Sequence, residues 1–133
     1  MLPRGIRNNN PLNIRVGCKW VGEVDNPTDK DFEQFTCMHY GLRAGFIILQ
    51  RYIERYHLDN LTEILSRWAP SSENATTKYI AFVSEHTGIG ALETLSFSDK
   101  DKMVEIVREM CFYENGQYID EHVIIEAYNL ITV

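Results

Sequence analysis

The fold of this chain is predicted first from one stretch near its start, Arg4-Gly5-Ile6-Arg7-Asn8-Asn9-Asn10-Pro11-Leu12-Asn13-Ile14-Arg15. Consecutive asparagines before a proline favour a rigid turn, because their side-chain amides bond to nearby backbone groups. After this turn, Leu12, Ile14 and Val16 alternate with polar residues. Such alternation is typical of a half-buried strand, so the stretch predicts a turn followed by a strand.

The residues that follow this stretch, up to residue 36, keep the same irregular and polar character. Asp25-Asn26-Pro27-Thr28-Asp29 is a cluster of turn-forming residues, and Phe32-Glu33-Gln34-Phe35 alternates again. We therefore expect a small antiparallel sheet joined by a polar loop over residues 1–36.

From Cys37 onward the apolar pattern becomes helical. The spacing of Leu42, Phe46, Leu49, Ile53 and Tyr56 places them on one face of a long helix. Capping and helix-breaking residues then predict four more helices: from Asn60 to Trp68, from Ser71 or Ser72 to Gly88, from Ser98 to Asn115, and from Asp120 to Ile131. The predicted fold class is α+β, mainly α. A small N-terminal antiparallel sheet precedes about five helices in a single domain over residues 1–133, with a sheet and loop region over 1–36 and a helical region over 37–133.

Composition narrows the class of protein. The 133 residues are 44% apolar, which suffices for one core without disulfides or metal ions. A net charge of −6 argues against a general nucleic-acid binder, and the longest apolar run, Phe46 to Leu49, is too short to cross a membrane. Residues 1–20 carry basic side chains and no acidic ones, which suggests either a partner site or internal pairing with the acidic body.

The spacing of the cysteines and histidines, and the lack of known catalytic motifs, argue against disulfide, metal and cofactor chemistry. Cys18, Cys37 and Cys111 are widely spaced, which favours reduced thiols, although a Cys18–Cys37 disulfide is the alternative. The histidines lack metal-ligand spacing, and no phosphate-binding, dinucleotide-binding or hydrolase motif is present, so we expect no metal and no cofactor. No apolar segment precedes Arg4, so we expect a protein that is cytoplasmic as synthesised and carries no signal peptide.

Five segments along the chain resemble, in the same order, motifs of a phage-associated, lysozyme-like family whose members include lytic transglycosylases and virion structural proteins. They are Arg4 to Arg15, which resembles RNNNPxNIR; Trp20-Val21-Gly22; Asp31-Phe32-Glu33-Gln34-Phe35; Tyr40-Gly41-Leu42-Arg43-Ala44; and Arg67-Trp68-Ala69-Pro70-Ser71-Ser72-Glu73-Asn74-Ala75-Thr76 with Tyr79-Ile80. The resemblance covers about residues 4 to 90, and residues 90–133 match no motif.

The resemblance implies a lysozyme-like fold, with a sheet and helices as the two walls of a cleft. It also implies peptidoglycan glycan strands as the substrate and other virion proteins as further partners. Asparagine amides suit sugar hydroxyl and acetamido groups, tryptophans can stack on sugar rings, and arginines can bind carboxylates. The candidate substrate-binding residues are Asn8, Asn9, Asn10, Asn13, Trp20, Arg43, Arg67, Asn74 and Tyr79. The alternatives are a structural turn for the asparagines, ion pairs for the arginines and core packing for the aromatic residues, with Trp20 expected to be exposed and Trp68 buried.

Cleavage of a glycan needs a carboxylic acid that stays protonated near neutral pH. In lysozyme-like enzymes this glutamate usually ends a helix before the sheet, and with only three residues ahead of Arg4 we expect that helix to be absent. Glu73, in the matched W-A-P-x-x-E-N segment, is the first candidate, with a helix-capping role as the alternative. Glu33, between Phe32 and Phe35, is the second, and we expect Glu23 to be a solvated loop residue.

Two functions therefore stay open, and with them whether the protein is an enzyme. In one, a phage or prophage protein binds and cleaves peptidoglycan as a lysozyme or lytic transglycosylase does. In the other, a non-catalytic virion structural or cell-wall-binding protein retains a degenerate cleft. Either would place the protein in the virion or release it to the cell wall.

Overall fold

The protein is built from helices. A computed structural model describes residues 2–70 and 72–132, so the predicted cap at Ser71 lies outside the described residues. Within that part of the chain there are six α-helices, and α2 continues directly into a π-helical segment, Arg51–Arg55. The α-helices are α1 (Arg4–Arg7), α2 (Met38–Gln50), α3 (Leu61–Trp68), α4 (Glu73–Thr87), α5 (Lys100–Asn115) and α6 (Glu121–Thr132).

The predicted N-terminal sheet is wrong, and with it the α+β, lysozyme-like fold class. Across the described residues there is no strand, and the extended pieces meet only at two isolated antiparallel bridges, Arg15 with Phe32 and Glu23 with Phe35. Each bridge is flanked by one pair of backbone hydrogen bonds, such as Val16 N to Asp31 O at 3.0 Å and Glu33 N to Ile14 O at 2.9 Å.

Backbone conformation explains why the alternating pattern did not produce a strand. Asn13 has a φ of 53°, so the chain reverses its twist between Leu12 and Ile14 and cannot stay extended. Leu12 and Ile14 are still buried, but Val16 is exposed. The apolar residues Leu12 and Ile14 therefore alternate because both are buried in an ordered loop, and not because they belong to a β-strand.

The helix boundaries follow local capping chemistry. The Asn60 side chain caps α3 by accepting a hydrogen bond from Glu63 N at 2.9 Å, and its amide also donates to the Glu63 carboxylate at 2.9 Å, in place of the backbone N–H that donates in a capping box. Ser72 caps α4 by accepting from Ala75 N, and α4 ends at Gly88, whose φ is 74°. The predicted start of α5 is one residue early, since Asp99 and not Ser98 provides the capping oxygen.

One residue that was predicted to lie on the buried face of the long helix is exposed. Leu42, Phe46, Leu49 and Ile53 are buried as their spacing predicts, but Tyr56 is 47% exposed. At the end of the helix, Tyr56 N bonds to Arg51 O, five residues earlier. This π turn is wider than an α-helical turn, so the Tyr56 side chain is rotated away from the buried face.

The core forms where α2 packs on α6, with α3, α4 and α5 completing it. The Phe46 ring meets the Tyr128 ring edge-on, with 5.4 Å between centroids, and both side chains are buried. On the other side of α2, Gly41 lies against the backbone of Asn9 and Gly45 against the Leu12 side chain. These two glycines let the N-terminal loop pack directly on the helix, and the loop in turn forms one wall of the candidate site.

Candidate functional site

The asparagine loop, residues 8–13, is held by its own side chains. Asn10 is fully buried, and its Nδ2 donates to the carbonyl oxygens of Ile14 at 2.9 Å and Glu33 at 3.0 Å. Its Oδ1 accepts from Ile14 N at 3.0 Å. One amide therefore ties together both sides of the irregular N-terminal region. The structural alternative predicted side-chain-to-backbone bonds within a turn, and the bonds to Ile14 fit it, whereas the bond to Glu33 O was not predicted.

The neighbouring asparagines also bond within the protein. Asn8 is buried, donates to Asp29 at 3.0 Å and accepts from Gln34. Asn9 has a φ of 52° and donates from Nδ2 to Phe35 O at 3.0 Å. Asn8 is thus buried and Asn9 partly buried, and the amide groups of both are already engaged within the protein.

Arg4 provides a second attachment for this region. Its guanidinium lies 2.7 Å from Asp29, and together with the Asn8 amide it holds the pKa of that carboxyl well below its usual range. Among the described residues Arg7, Arg15 and Lys19 make no ion pair, so internal pairing accounts for only one of the basic residues at this end.

A groove runs between the asparagine loop and the helices. It consists of two adjoining cavities of about 390 Å³ and 420 Å³ that share Leu12, Asn13, Arg15 and Trp68. The first is also lined by Ile14, Val16, Gly17, Cys18, Trp20, Ile48, Arg51 and Tyr52, and the second by Phe32, Ala69, Pro70 and Glu114. Aromatic and apolar side chains thus form most of the walls, with a few polar groups between them.

The groove brings both tryptophans to one site. Trp20 and Trp68 are each half-buried, so the expectations of an exposed Trp20 and a buried Trp68 were both wrong. The Arg51 guanidinium lies over the Trp20 ring at 5.4 Å, and the Tyr52 ring meets Trp68 edge-on at 6.0 Å. These contacts hold the aromatic rings in place while leaving part of each open to the groove.

Polar groups lie on the same walls. Asn13 donates from Nδ2 to Glu114 at 3.0 Å, which joins the asparagine loop to the end of α5. The Arg15 guanidinium lies over the Phe32 ring at 4.8 Å and is exposed. The groove therefore offers a carboxylate, an amide and two guanidinium groups, those of Arg15 and Arg51, beside its aromatic rings.

Glu33 is a buried carboxyl group next to the groove. It is 8% exposed, and its Oε2 has no hydrogen-bond partner among the described residues. Burial raises the pKa of Glu33 to about 7, and the carboxylate of Glu23 adds to the increase. Glu23 itself accepts a bond from Trp20 N at 3.0 Å, so it is a partly buried partner and not the solvated residue that we expected.

This raised pKa predicts how stability depends on pH. Because the ordinary pKa of a glutamate is 4.5 and that of folded Glu33 is about 7, the folded state binds more protons than the unfolded state between these values. Stability should therefore be highest below pH 4.5 as far as this group is concerned, and should fall by about 3 kcal/mol as the pH rises to 7. Urea unfolding at several pH values measures this slope.

Two variants separate Glu33 from the other acids. Glu33→Gln should flatten the slope and make the protein more stable than wild type at pH 8. Glu85→Gln, which changes an exposed glutamate on α4, should leave the slope unchanged. An unaltered slope in Glu33→Gln would show that this carboxyl group titrates normally.

The remaining candidates from the sequence lie apart from the groove walls. Glu73 and Asn74 are exposed in the first turn of α4, while Tyr79 is buried and stacks on Tyr113 with 4.1 Å between ring centroids. Arg67 is exposed, lies over the Tyr52 ring at 5.4 Å and is not among the residues that line the groove. Their predicted roles in binding and catalysis stay predictions.

Several groove residues were missed at the sequence level. Arg15 lies inside the quoted N-terminal stretch, but Arg51 and Tyr52 lie on the long helix, where they look like surface positions beside the apolar stripe. Glu114 comes from the unmatched C-terminal region. The one sequence signal that could have indicated this helix as part of a binding site is the pair Arg51 and Tyr52 directly before the buried Ile53.

Other site types are not found in the described residues. No group of histidine, cysteine, aspartate or glutamate side chains there could hold a metal ion. All three cysteines are free thiols, so the Cys18–Cys37 disulfide is not formed. Of the described helices, none has both the length and the apolar character to span a membrane.

Comparison with known proteins gives the chain a family. No protein-family model matches it. It is similar to Protein P5 of Pseudoalteromonas phage PM2, with 40% identity over 117 residues that cover 85% of this chain and 71% of the relative. The expected phage relationship is thereby confirmed. Identity at this level over most of both sequences means that the chain belongs to the family of phage Protein P5.

Proposed function

We propose that this chain is a phage virion protein that binds peptidoglycan glycan strands in the groove without cleaving them. The observation that carries the proposal is the pair of half-buried tryptophans, Trp20 and Trp68, on the walls of one groove. The phage relative supports the phage part of the proposal. Virion association is tested by mass spectrometry of purified phage particles.

The groove has the chemistry that a glycan needs. Small-molecule sites combine aromatic surface with a few placed polar groups, and sugar rings present both an apolar face and hydroxyl groups. Here Trp20, Tyr52 and Trp68 supply ring surface, and Asn13 and Arg15 supply an amide and a cation. The lactyl amide and the acetamido group of muramic acid present carbonyl oxygens, which accept hydrogen bonds from a guanidinium.

Glycan cleavage is the second candidate, and Glu33 is the observation that favours it. With a pKa near 7 it is half protonated at neutral pH, as a general acid must be. A general acid must also reach the bond that it protonates. Ile14, whose carbonyl oxygen accepts a bond from Glu33 N, lines the groove, but neither Glu33 nor Glu73 is among the lining residues. Binding without cleavage is therefore the function that the geometry supports better.

Glycan binding predicts a loss of affinity when the groove is altered. Trp68→Ala should weaken co-sedimentation with purified peptidoglycan sacculi about tenfold, because truncating a central tryptophan of an interface commonly costs more than 1 kcal/mol. Arg15→Gln removes an exposed charge from the same groove and should weaken binding without affecting the fold. Dissociation constants from sedimentation at several protein concentrations measure both effects.

The control is Leu92→Ala, which shortens a side chain that is 75% exposed and lies outside the groove. Its affinity should equal that of wild type. If Trp68→Ala and Arg15→Gln bind as well as this control, the groove is not the glycan site. Turbidity assays on the same sacculi test cleavage: clearing by wild type that is lost in Glu33→Gln or in Glu73→Gln would establish an enzyme and identify its acid.

A further inference from the structure

A further cavity shares Arg51 with the groove. It has a volume of about 620 Å³ and lies between α2 with its π-helical extension and the C-terminal end of α6. Arg43, Arg51 and Arg55 line it, together with the apolar side chains of Ile47 and Leu130. We call it the arginine cavity.

Among the described residues, the arginines of this cavity have no carboxylate partner. The chain has 19 acidic and 13 basic residues, yet Arg43, Arg51 and Arg55 form no ion pair with any residue that the structure describes. Glu54 also lines the cavity and makes no such pair within 4.0 Å. Like charges gathered along one helix repel each other, and a bound anion would offset that repulsion.

We propose that the arginine cavity binds the carboxylate groups of the stem peptides that branch from a glycan strand held in the groove. This inference rests on the proposed glycan binding. Guanidinium groups match carboxylates because their parallel N–H bonds can bind both oxygens at once. Ile47 and Leu130 offer apolar contact for the methyl groups of a short peptide. Arg51 lines both cavities, so a strand in the groove brings its branches to this arginine first.

The test compares two soluble ligands: glycan strands that carry stem peptides, and the same strands after an amidase has removed the peptides. Isothermal titration with the full chain should give tighter binding of the peptide-bearing strands. The double variant Arg43→Gln/Arg55→Gln should weaken binding of peptide-bearing strands about tenfold and leave binding of stripped strands unchanged within about twofold, as expected for loss of charge-assisted hydrogen bonds.

A charge-matched control is Arg7→Gln/Lys78→Gln, which removes two exposed basic residues outside this cavity. It should bind both ligands as wild type does. Equal affinity of wild type for the two ligands, or an equal loss in the control, would overturn the arginine cavity as the peptide site.

If wild type binds stripped strands but the double arginine variant loses no affinity for peptide-bearing strands, glycan binding stands and this inference fails. If peptide-bearing strands bind and Trp68→Ala has no effect, the groove proposal fails instead; binding of neither ligand overturns both.

Discussion

Replacing Asn10 with alanine is expected to lower the free energy of unfolding by about 3 kcal/mol. The side chain makes three buried hydrogen bonds to the backbone, to Ile14 N, Ile14 O and Glu33 O. Ile14 O keeps a bond from Glu33 N, so two backbone groups lose the partner that the structure gives them. A buried polar group left without a partner costs about 1 to 3 kcal/mol. Urea unfolding measures the change.

Two other asparagine variants show whether the bonds, and not the volume, matter. Asn10→Asp keeps the shape and the acceptor for Ile14 N but loses the donor to two carbonyl oxygens, so it should also destabilise strongly. Asn74→Ala, at an exposed position of α4, should change stability by less than about 0.5 kcal/mol. An Asn10→Ala variant as stable as Asn74→Ala would mean that the loop does not depend on this amide.

Replacing Gly41 with alanine is expected to destabilise the protein by about 3 kcal/mol, the upper part of the range for overpacked sites. A Cβ on Gly41 would overlap the carbonyl oxygen of Asn9. That oxygen cannot easily withdraw, because Asn9 is tied to Phe35 O and the adjacent Asn10 is buried. The gain in helix propensity from glycine to alanine, about 1 kcal/mol, is smaller than this penalty.

The matched control for this prediction is Gly90→Ala, because a Cβ there makes only ordinary contacts with Glu93. It should be neutral or slightly stabilising, since alanine restricts the unfolded chain. Thermal unfolding of both variants provides the comparison. The Gly41→Ala variant should also bind sacculi more weakly, because displacing the asparagine loop moves Asn13 and Leu12 on the groove wall. Gly41→Ala with wild-type stability would contradict the close packing of loop and helix.

The candidate site was predictable only in part. Asn13 and Trp20 were expected to bind substrate, and both line the groove. Asn10 has the same side chain as Asn13 and lies in the same stretch, but its amide is used entirely inside the protein. Nothing in the residue types distinguishes the two, because the difference depends on which partners the folded chain brings within hydrogen-bond distance.

The carboxyl groups show the same limit. Glu73 ranked above Glu33 because of its sequence context, yet Glu73 is exposed and Glu33 is buried with a raised pKa. A shift of this size needs removal from water and a neighbouring carboxylate. Glu23 lies ten residues away in sequence, and only the packing of two extended segments through the Glu23–Phe35 bridge brings it close.

The sequence by itself determined α3, α4 and α6 and, within one residue, where they begin and end. Caps such as Asn60 and Ser72 and the left-handed Gly88 act on backbone groups a few residues away, so local sequence suffices. Tertiary structure alone decided that residues 12–36 form a bonded loop instead of a sheet, and that Trp20 and Trp68 meet in one groove. Those outcomes depend on partners distant in sequence, which the local pattern of apolar and polar residues does not identify.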